Sequence, residues 1–271
     1  MNKGAKPASE AIIRLIGIEK SFGDQQVLNG VDLEVPEGTT TIIVGASGQG
    51  KSVMVKHMLG LIKPDKGHVL VYGEDINKVK SRRLKEIRTT FGVLFQNVAL
   101  FDSMTVYDNV ALPLRERTRL DEKTIRDRVT DKLALMDMKD AGEKYPAQLS
   151  GGMRKRAGLA RALMLDPKVI FFDEPTTGLD VNKSNELYRL FFETQQQLGY
   201  SAVFVSHDVP KIFKLADYVA LISEGVIQGC LPPEEFQLSE QPKIRAFVRE
   251  TMGALYYSEL EERGLYEEVQ S

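Results

Sequence analysis

Cysteine is almost absent from this 271-residue chain: Cys230 stands alone, so no disulfide can form within it. That excludes a small cross-linked secreted scaffold and fits a reducing compartment. An excess of either charge is missing too. The 36 Lys and Arg nearly cancel the 38 Asp and Glu, leaving no global field to draw the chain to nucleic acid or an anionic membrane surface, so nucleic acid is not expected as a partner. No apolar run is long enough to span a bilayer. Met1 to Glu10 carries Lys3 and Lys6 without an apolar stretch, so no signal peptide is expected. Internal repeats and low-complexity tracts are lacking as well. What is present is a chain of 42% hydrophobic and 27% charged residues, suited to one large globular domain or to one with a lobe inserted into it.

The chain is organised around one stretch. Thr39 to Val44 is rich in β-branched residues and reads as a buried strand. Gly45-Ala46-Ser47-Gly48-Gln49-Gly50-Lys51-Ser52 follows without a break, and Ser52 to Leu59 has helical spacing. Strand, glycine-rich turn and helix make a P-loop. Gly45, Gly48 and Gly50 let the backbone turn its N–H groups inward, where they and the positive end of the helix can hold a triphosphate. Lys51 adds a point charge for the β- and γ-phosphates, and Ser52 offers a hydroxyl to Mg²⁺.

Other segments acquire meaning around that loop. Upstream, short apolar runs from Ala11 are broken at Phe22-Gly23-Asp24, Asn29-Gly30 and Pro36-Glu37-Gly38, a strand-and-turn pattern. Phe22, in the first of these turns, either stacks on a purine base or packs beside the turn. Lys78 to Arg88 reads as a solvated helix face, with a phospholipid-facing patch as the alternative. His68 reads as a surface residue, and His57 as packed or solvated, since no second His, Cys or carboxylate stands at metal-ligand spacing from His57. Phe91 to Phe95 is a strand candidate ending at Gln96, where a polar side chain can reach a ligand lying across the carboxyl edge of a parallel sheet. Strand patterns then stop until Val169. Arg115 to Met138 has helical spacing, with Ile125, Val129, Leu133 and Met136 on one face, so Asn97 to Leu165 reads as a helical lobe inserted into an α/β core. Within the lobe Ser150 is placed to N-cap a helix, and with Gly151 and Gly152 it makes a second phosphate cradle. Lys168 to Phe172 is a buried strand delivering Asp173 and Glu174, two adjacent acids that a core would not tolerate; Asp173 can hold Mg²⁺ through water and Glu174 can polarise an attacking water. Ala202 to Val205 ends at Ser206-His207-Asp208, where His207 is placed for a γ-phosphate contact. Ile212 to Leu215 and Tyr218 to Ile222 finish the core. Beyond Pro232 an amphipathic pattern through Ile244, Phe247, Val248, Met252 and Leu255 leads to an acidic end with Glu267 and Glu268.

From Ile12 to about Gly229 the chain resembles the ATPase subunit of ATP-binding-cassette (ABC) transporters. By position, Phe22 is similar to the adenine-stacking aromatic, Gly45 to Ser52 to the Walker A loop, Gln96 to the Q-loop glutamine and Leu149 to Met153 to the signature motif. Phe171 to Glu174 is similar to Walker B with its catalytic acid, Thr177 to Asp180 to the D-loop, and His207 to the switch histidine. The resemblance implies an α/β fold: a RecA-like P-loop NTPase core (1–96 and 166–231) with an N-terminal antiparallel β subdomain, an inserted α-helical subdomain (97–165) and a C-terminal helical tail (232–271). It implies ATP and Mg²⁺, the latter on Ser52, Gln96 and Asp173, with Glu174, His207, Lys51 and Gln96 catalytic. It also implies a second copy of the chain contributing Ser150, Gly151 and Gly152 in trans, integral-membrane permease subunits, and a peripheral place on the cytoplasmic face of the inner membrane. Phe101 to Val106, Asn109 to Glu116 and Ser150 to Arg156 are most similar to the ATPase of Mla and Mce-type lipid transporters, which implies phospholipid cargo and a Mce-type lipid-binding subunit. Asn109 to Leu114 is similar to methionine importer ATPases too, so that cargo stays open as an alternative, and a soluble non-transport ABC ATPase stands behind both.

Overall fold

The computed structural model describes residues 10–262. In chain order come β1 (Ala11–Phe22), β2 (Gln25–Pro36), β3 (Thr40–Val44), α1 (Lys51–Met58), β4 (Lys66–Val71), β5 (Glu74–Asp75), α2 (Ser81–Thr89) and β6 (Phe91–Leu94). Three helices follow, α3 (Val106–Arg117), α4 (Glu122–Leu135) and α5 (Gly151–Ala162). The chain then returns through β7 (Val169–Asp173), α6 (Val181–Leu198), β8 (Ser201–Val205), β9 (Tyr218–Ser223) and β10 (Val226–Leu231) to α7 (Pro233–Gln237) and α8 (Pro242–Glu262).

These strands make two sheets. One is antiparallel, in the order β2-β1-β4-β5. The other runs β10-β9-β3-β8-β7-β6 and is parallel except for β10, which pairs antiparallel with β9. The parallel strands are short apolar runs because both of their faces are covered. Alternation sends Ile42, Val44, Ile170, Phe172, Ala202 and Phe204 into a core shared with α3 to α6. Ile43, Val169, Phe171, Val203 and Val205 face a second core with Met54, Val55 and Met58 of α1 and the inner face of the antiparallel sheet. In that sheet Leu28, Val31, Leu33 and Val35 of β2 are buried while Asp32 and Glu34 between them are exposed, the period-2 pattern of a sheet with one wet face. The fold is the α/β P-loop arrangement expected, with its antiparallel sheet.

The expected continuous helix over Arg115 to Met138 is two helices. Thr118 is extended, and Asp121 accepts a hydrogen bond from the Thr124 N–H at 2.9 Å, so a fresh N-cap starts α4. Ile212 to Leu215 lies in a 3-10 helix (Lys211–Leu215) that packs Ile212, Phe213 and Leu215 into the main core. The chain past Pro232 begins docked on itself: Phe236, Ile244 and Val248 are buried in the main core, and α8 kinks at Gly253, whose φ is +71°. Glu267, Glu268, Lys3 and Lys6 lie outside the described residues, as does the side chain of Leu255.

Candidate active site

β3, at the centre of the parallel sheet, carries the P-loop out at its carboxyl end. Gly45, Gly48 and Gly50 take φ of +150°, +81° and +99°, values that let successive N–H groups converge and that residues with a Cβ avoid. Gly45 is required for a second reason, since a Cβ there would stand 2.3 Å from the Ile222 carbonyl oxygen of β9. Ala46, Ser47 and Gly48 are exposed at the loop's crest and Ser52 is exposed in the first turn of α1. Lys51 Nζ donates to the carbonyls of Gly45 (2.7 Å) and Ala46 (2.9 Å). Burial pulls its ammonium below the ordinary lysine value, opposed by the nearby charges of Glu174 and Asp173. Phe22, at the end of β1, is 51% exposed, with Lys20 Nζ 5.5 Å from its ring centre; a ring packed beside the turn would be covered.

Next to β3, strands β8 and β7 bring their ends to the same edge. Asp173 closes β7, and burial pushes its carboxyl up, with the adjacent Glu174 charge adding to the rise. Glu174 sits in the left-handed region at φ +48°, a strained position for a residue with a side chain. Its N–H donates to Val205 O at 2.9 Å, and one carboxylate oxygen lies 2.7 Å from His207 Nδ1. The glutamate is 17% exposed and the histidine 69%. An acid shielded on the protein side and an imidazole open to solvent on the other suit a site whose substrate arrives from outside.

Gln96 is exposed just past β6, and its carbonyl accepts from Lys155 Nζ. Ser150 N-caps α5, accepting from the Met153 N–H at 3.3 Å. The cradle it forms with Gly151 and Gly152 belongs to the helical lobe; a Cβ on Gly151 would meet Leu179 at 3.0 Å. Among the described residues no hydrogen bond or ion pair joins Ser150, Gly151 or Gly152 to the P-loop. The structure thus gathers Lys51, Asp173, Glu174 and His207 at one sheet edge and leaves the Ser150 cradle apart.

Comparison with known proteins decides the family. The ABC transporter family model matches residues 28–177, which includes the P-loop, Gln96, the Ser150 cradle and Glu174. The chain belongs to the ABC transporter family. It is 41% identical over 245 residues to a Mycobacterium leprae protein described as a probable ribonucleotide transport ATP-binding protein, mkl, covering 90% of this chain and 70% of that one. The matching Mycobacterium tuberculosis protein is spanned over 66% of its length. The intermembrane phospholipid transport system ATP-binding protein MlaF of Haemophilus influenzae is 37% identical, covering 89% of this chain and 91% of that one. Solved structures agree on the fold. The cassette cbiO1 of Clostridium perfringens, part of the ABC transporter complex cbiONQ, matches with a TM-score of 0.79 at 28% identity over 94% of this chain and 100% of its own. A dimeric ATP-binding cassette in a post-hydrolysis state, bound to ADP and Pi, matches at 0.74 and 28% identity over 82% and 98%. This ABC cassette is an ATPase, with ATP its substrate and Mg²⁺ the usual partner of that nucleotide.

The donor set fits that metal. Ser52, Gln96 and Asp173 offer only oxygen ligands, and the raised Asp173 carboxyl is one a cation would draw back down. Among the described residues no cluster of three or more His, Cys, Asp or Glu could cage a metal alone, in keeping with an ion held between protein and phosphates. Two features escaped the sequence. Gln49 accepts from the Glu224 N–H at 2.6 Å, and the Glu224 carboxylate pairs with Lys243 of α8, so the P-loop is tied through the β9–β10 turn to the tail. Lys155, amid the basic run Arg154 to Arg156, is 5% exposed; its only advance signal is helical phase, which sets it on the face of Leu159.

Proposed function

We propose that this chain powers a membrane transporter, moving phospholipid across the cell envelope, as one of two identical ATPase subunits. The 2.7 Å contact between Glu174 and His207 at the edge beside the P-loop carries the hydrolytic reading. ATP lies on the P-loop N–H groups and Lys51, with its base against Phe22, and is covered by Ser150, Gly151 and Gly152 of a second copy. Glu174 orients water for in-line attack on the γ-phosphate. His207, its ring held through Nδ1 on Glu174, presents Nε2 outward, and with Lys51 it stabilises the charge that spreads over the transferring group. Mg²⁺, held by Ser52, Gln96 and Asp173, would neutralise charge on the β- and γ-phosphates. Replacing Glu174 by Gln keeps ATP binding and stops turnover; an unchanged hydrolysis rate would remove Glu174 from this role.

Permease subunits dock on the seam from Gln96 to Val106, where Phe101 is 52% exposed between the sheet edge and the helical lobe, next to Phe95 at 42%. By its likeness to ABC transporter ATPases the cassette works peripherally, on the cytoplasmic face of the inner membrane; no helix among the described residues is long and apolar enough to cross a membrane. The phospholipid cargo is supported by similarity to MlaF proteins over most of both chains; the mkl relatives favour a ribonucleotide instead. Mild-detergent purification from native membranes, with mass spectrometry of proteins and lipids, separates the readings. A permease, a Mce-type lipid-binding subunit and bound phospholipid are expected. A permease with a soluble amino-acid-binding protein, or with bound nucleotide cargo, would overturn the cargo and leave the ATPase standing.

A further inference from the structure

The ladder between β7 and β8 ends at Asp173 and Val205, and the Glu174 N–H to Val205 O bond is the last backbone link across it. Both reactive side chains lie beyond that point. Glu174 has a strained backbone, which persists only where its surroundings over-determine it, and His207 is too exposed to be held by packing. One side chain reaches across from α6. The hydroxyl of Tyr188, a residue 6% exposed, lies 2.9 Å from Thr176 Oγ1 and donates to Asp208 Oδ2 at 3.1 Å. Because that carboxylate can only accept, the phenolic proton points to Asp208 and the Thr176 hydroxyl donates in turn to Tyr188. Thr176 is two residues past Glu174, and Asp208 is the residue after His207. At its far end the chain of bonds is anchored by the Asp208 N–H, which donates to the fully buried Ser206 Oγ at 3.0 Å. The Tyr188 ring is fixed edge-on against Phe191, 6.4 Å between centres, and burial pushes its phenol up, keeping the proton it donates.

We propose that Tyr188 is a positioning residue for ATP hydrolysis, its hydroxyl joining the segment after Glu174 to the segment after His207 and so holding those two side chains in contact. This rests on the reading that Glu174 and His207 serve hydrolysis. The substitution Tyr188→Phe removes one oxygen and keeps the ring. Since positional error of about an ångström at a reacting centre costs on the order of a hundredfold, and one of two restraints is lost, kcat is expected to fall about tenfold while KM for ATP changes little.

The control is Tyr200, a fully buried tyrosine whose hydroxyl lies 2.8 Å from Thr194 Oγ1 and donates to Phe191 O at 3.2 Å, with no bond to either loop. Steady-state hydrolysis and thermal unfolding are measured on the full chain purified with its membrane partners, for Y188F, Y200F, T176V and Y188F/T176V, with E174Q alongside. The inference expects Y188F and T176V each to lower kcat, the double variant to be no worse than either, and Y200F to lose stability while keeping kcat. If Y188F keeps the wild-type kcat, if Y200F loses as much, or if the Y188F and T176V effects multiply, the positioning role is overturned. Wild-type hydrolysis by E174Q would instead overturn the site reading itself, which keeps the two failures distinct.

Discussion

Gly158, in the middle of α5, offers a test in which local and tertiary physics disagree in sign. Helix propensity alone makes Gly158→Ala stabilising by about 1 kcal/mol. Packing opposes it, because a Cβ at this position would stand 2.3 Å from Val98 Cγ1 and 2.8 Å from Leu94 Cδ1. The Val98 side has little room to retreat. Val98 and Ala99 occupy a turn at φ +60° and +51°, and Arg161, from the same helix, donates to both of their carbonyls at 2.6 and 2.7 Å. Overpacking of this kind costs about 1–3 kcal/mol. With the turn clamped the upper part of that range applies, so the net effect is a loss of about 2 kcal/mol once the propensity gain is subtracted. At a urea m-value of about 3 kcal/mol/M the unfolding midpoint falls by roughly 0.7 M. The same substitution in a Val98→Ala background, where the clashing methyl is gone, is expected to cost much less. A Gly158→Ala chain that unfolds at higher urea than wild type, or one whose loss is unchanged beside Val98→Ala, would refute the packing argument.

Three further outcomes follow from the site and its supports. Asp173→Asn removes a carboxylate that burial and Glu174 disfavour in the folded state, so the nucleotide-free protein should melt at higher temperature while Mg²⁺-dependent hydrolysis is lost; a lowered Tm would contradict the stated cause. Asp108 is held below its ordinary value of 3.8, chiefly by the Arg115 guanidinium and then by the Thr105 hydroxyl. A depressed acid contributes its stability in full above its unfolded pKa and loses it as pH falls through the folded one, so Asp108→Asn should flatten the decline of the urea midpoint as pH falls below about 4. Gly45→Ala drives a Cβ into the backbone carbonyl of Ile222, which cannot rotate away, and should cost at least about 2 kcal/mol of stability together with ATP affinity; unaltered binding in a filter or fluorescence assay would show that the loop can shift freely.

Much of the catalytic edge could be read from the residues because each functional group sits where an apolar run ends. Val44 hands over to Gly45, Phe172 to Asp173 and Glu174, and Val205 to the segment with His207, and a parallel sheet collects such ends on one side. What pairs with what was not legible. That His207 Nδ1 meets the Glu174 carboxylate, or that Gln49 meets the Glu224 N–H, depends on strand order in space, and nothing in the spacing specifies it. The break between α3 and α4 was hidden because helical spacing continues across it; only Asp121, a good N-cap followed by Glu122, marked the restart. Lys155 and Tyr188 read as surface and core by type, and their importance comes from the carbonyl and carboxylate that tertiary folding sets beside them. The β10 strand was missed for a related reason: an edge strand with every residue half-buried shows no alternation to detect.

The order of strands in the parallel sheet also sets a timetable. β3, which bears the P-loop, is among the first strands to be synthesised, yet its neighbours on either side are β8 and β9. At ribosomal rates of about 5–20 residues per second its pairing partners emerge on the order of ten to thirty seconds later. β1, β2 and β4, by contrast, are all complete once Val71 has been made. During that interval Thr40 to Val44 is a β-branched, uncharged strand with both edges unpaired, the composition most prone to join the wrong partner. The segment on which nucleotide binding depends is therefore the one the nascent chain must shield longest, and a ribosome stalled before β8 would leave behind a polypeptide that carries the complete phosphate-binding loop on a strand with neither neighbour in place.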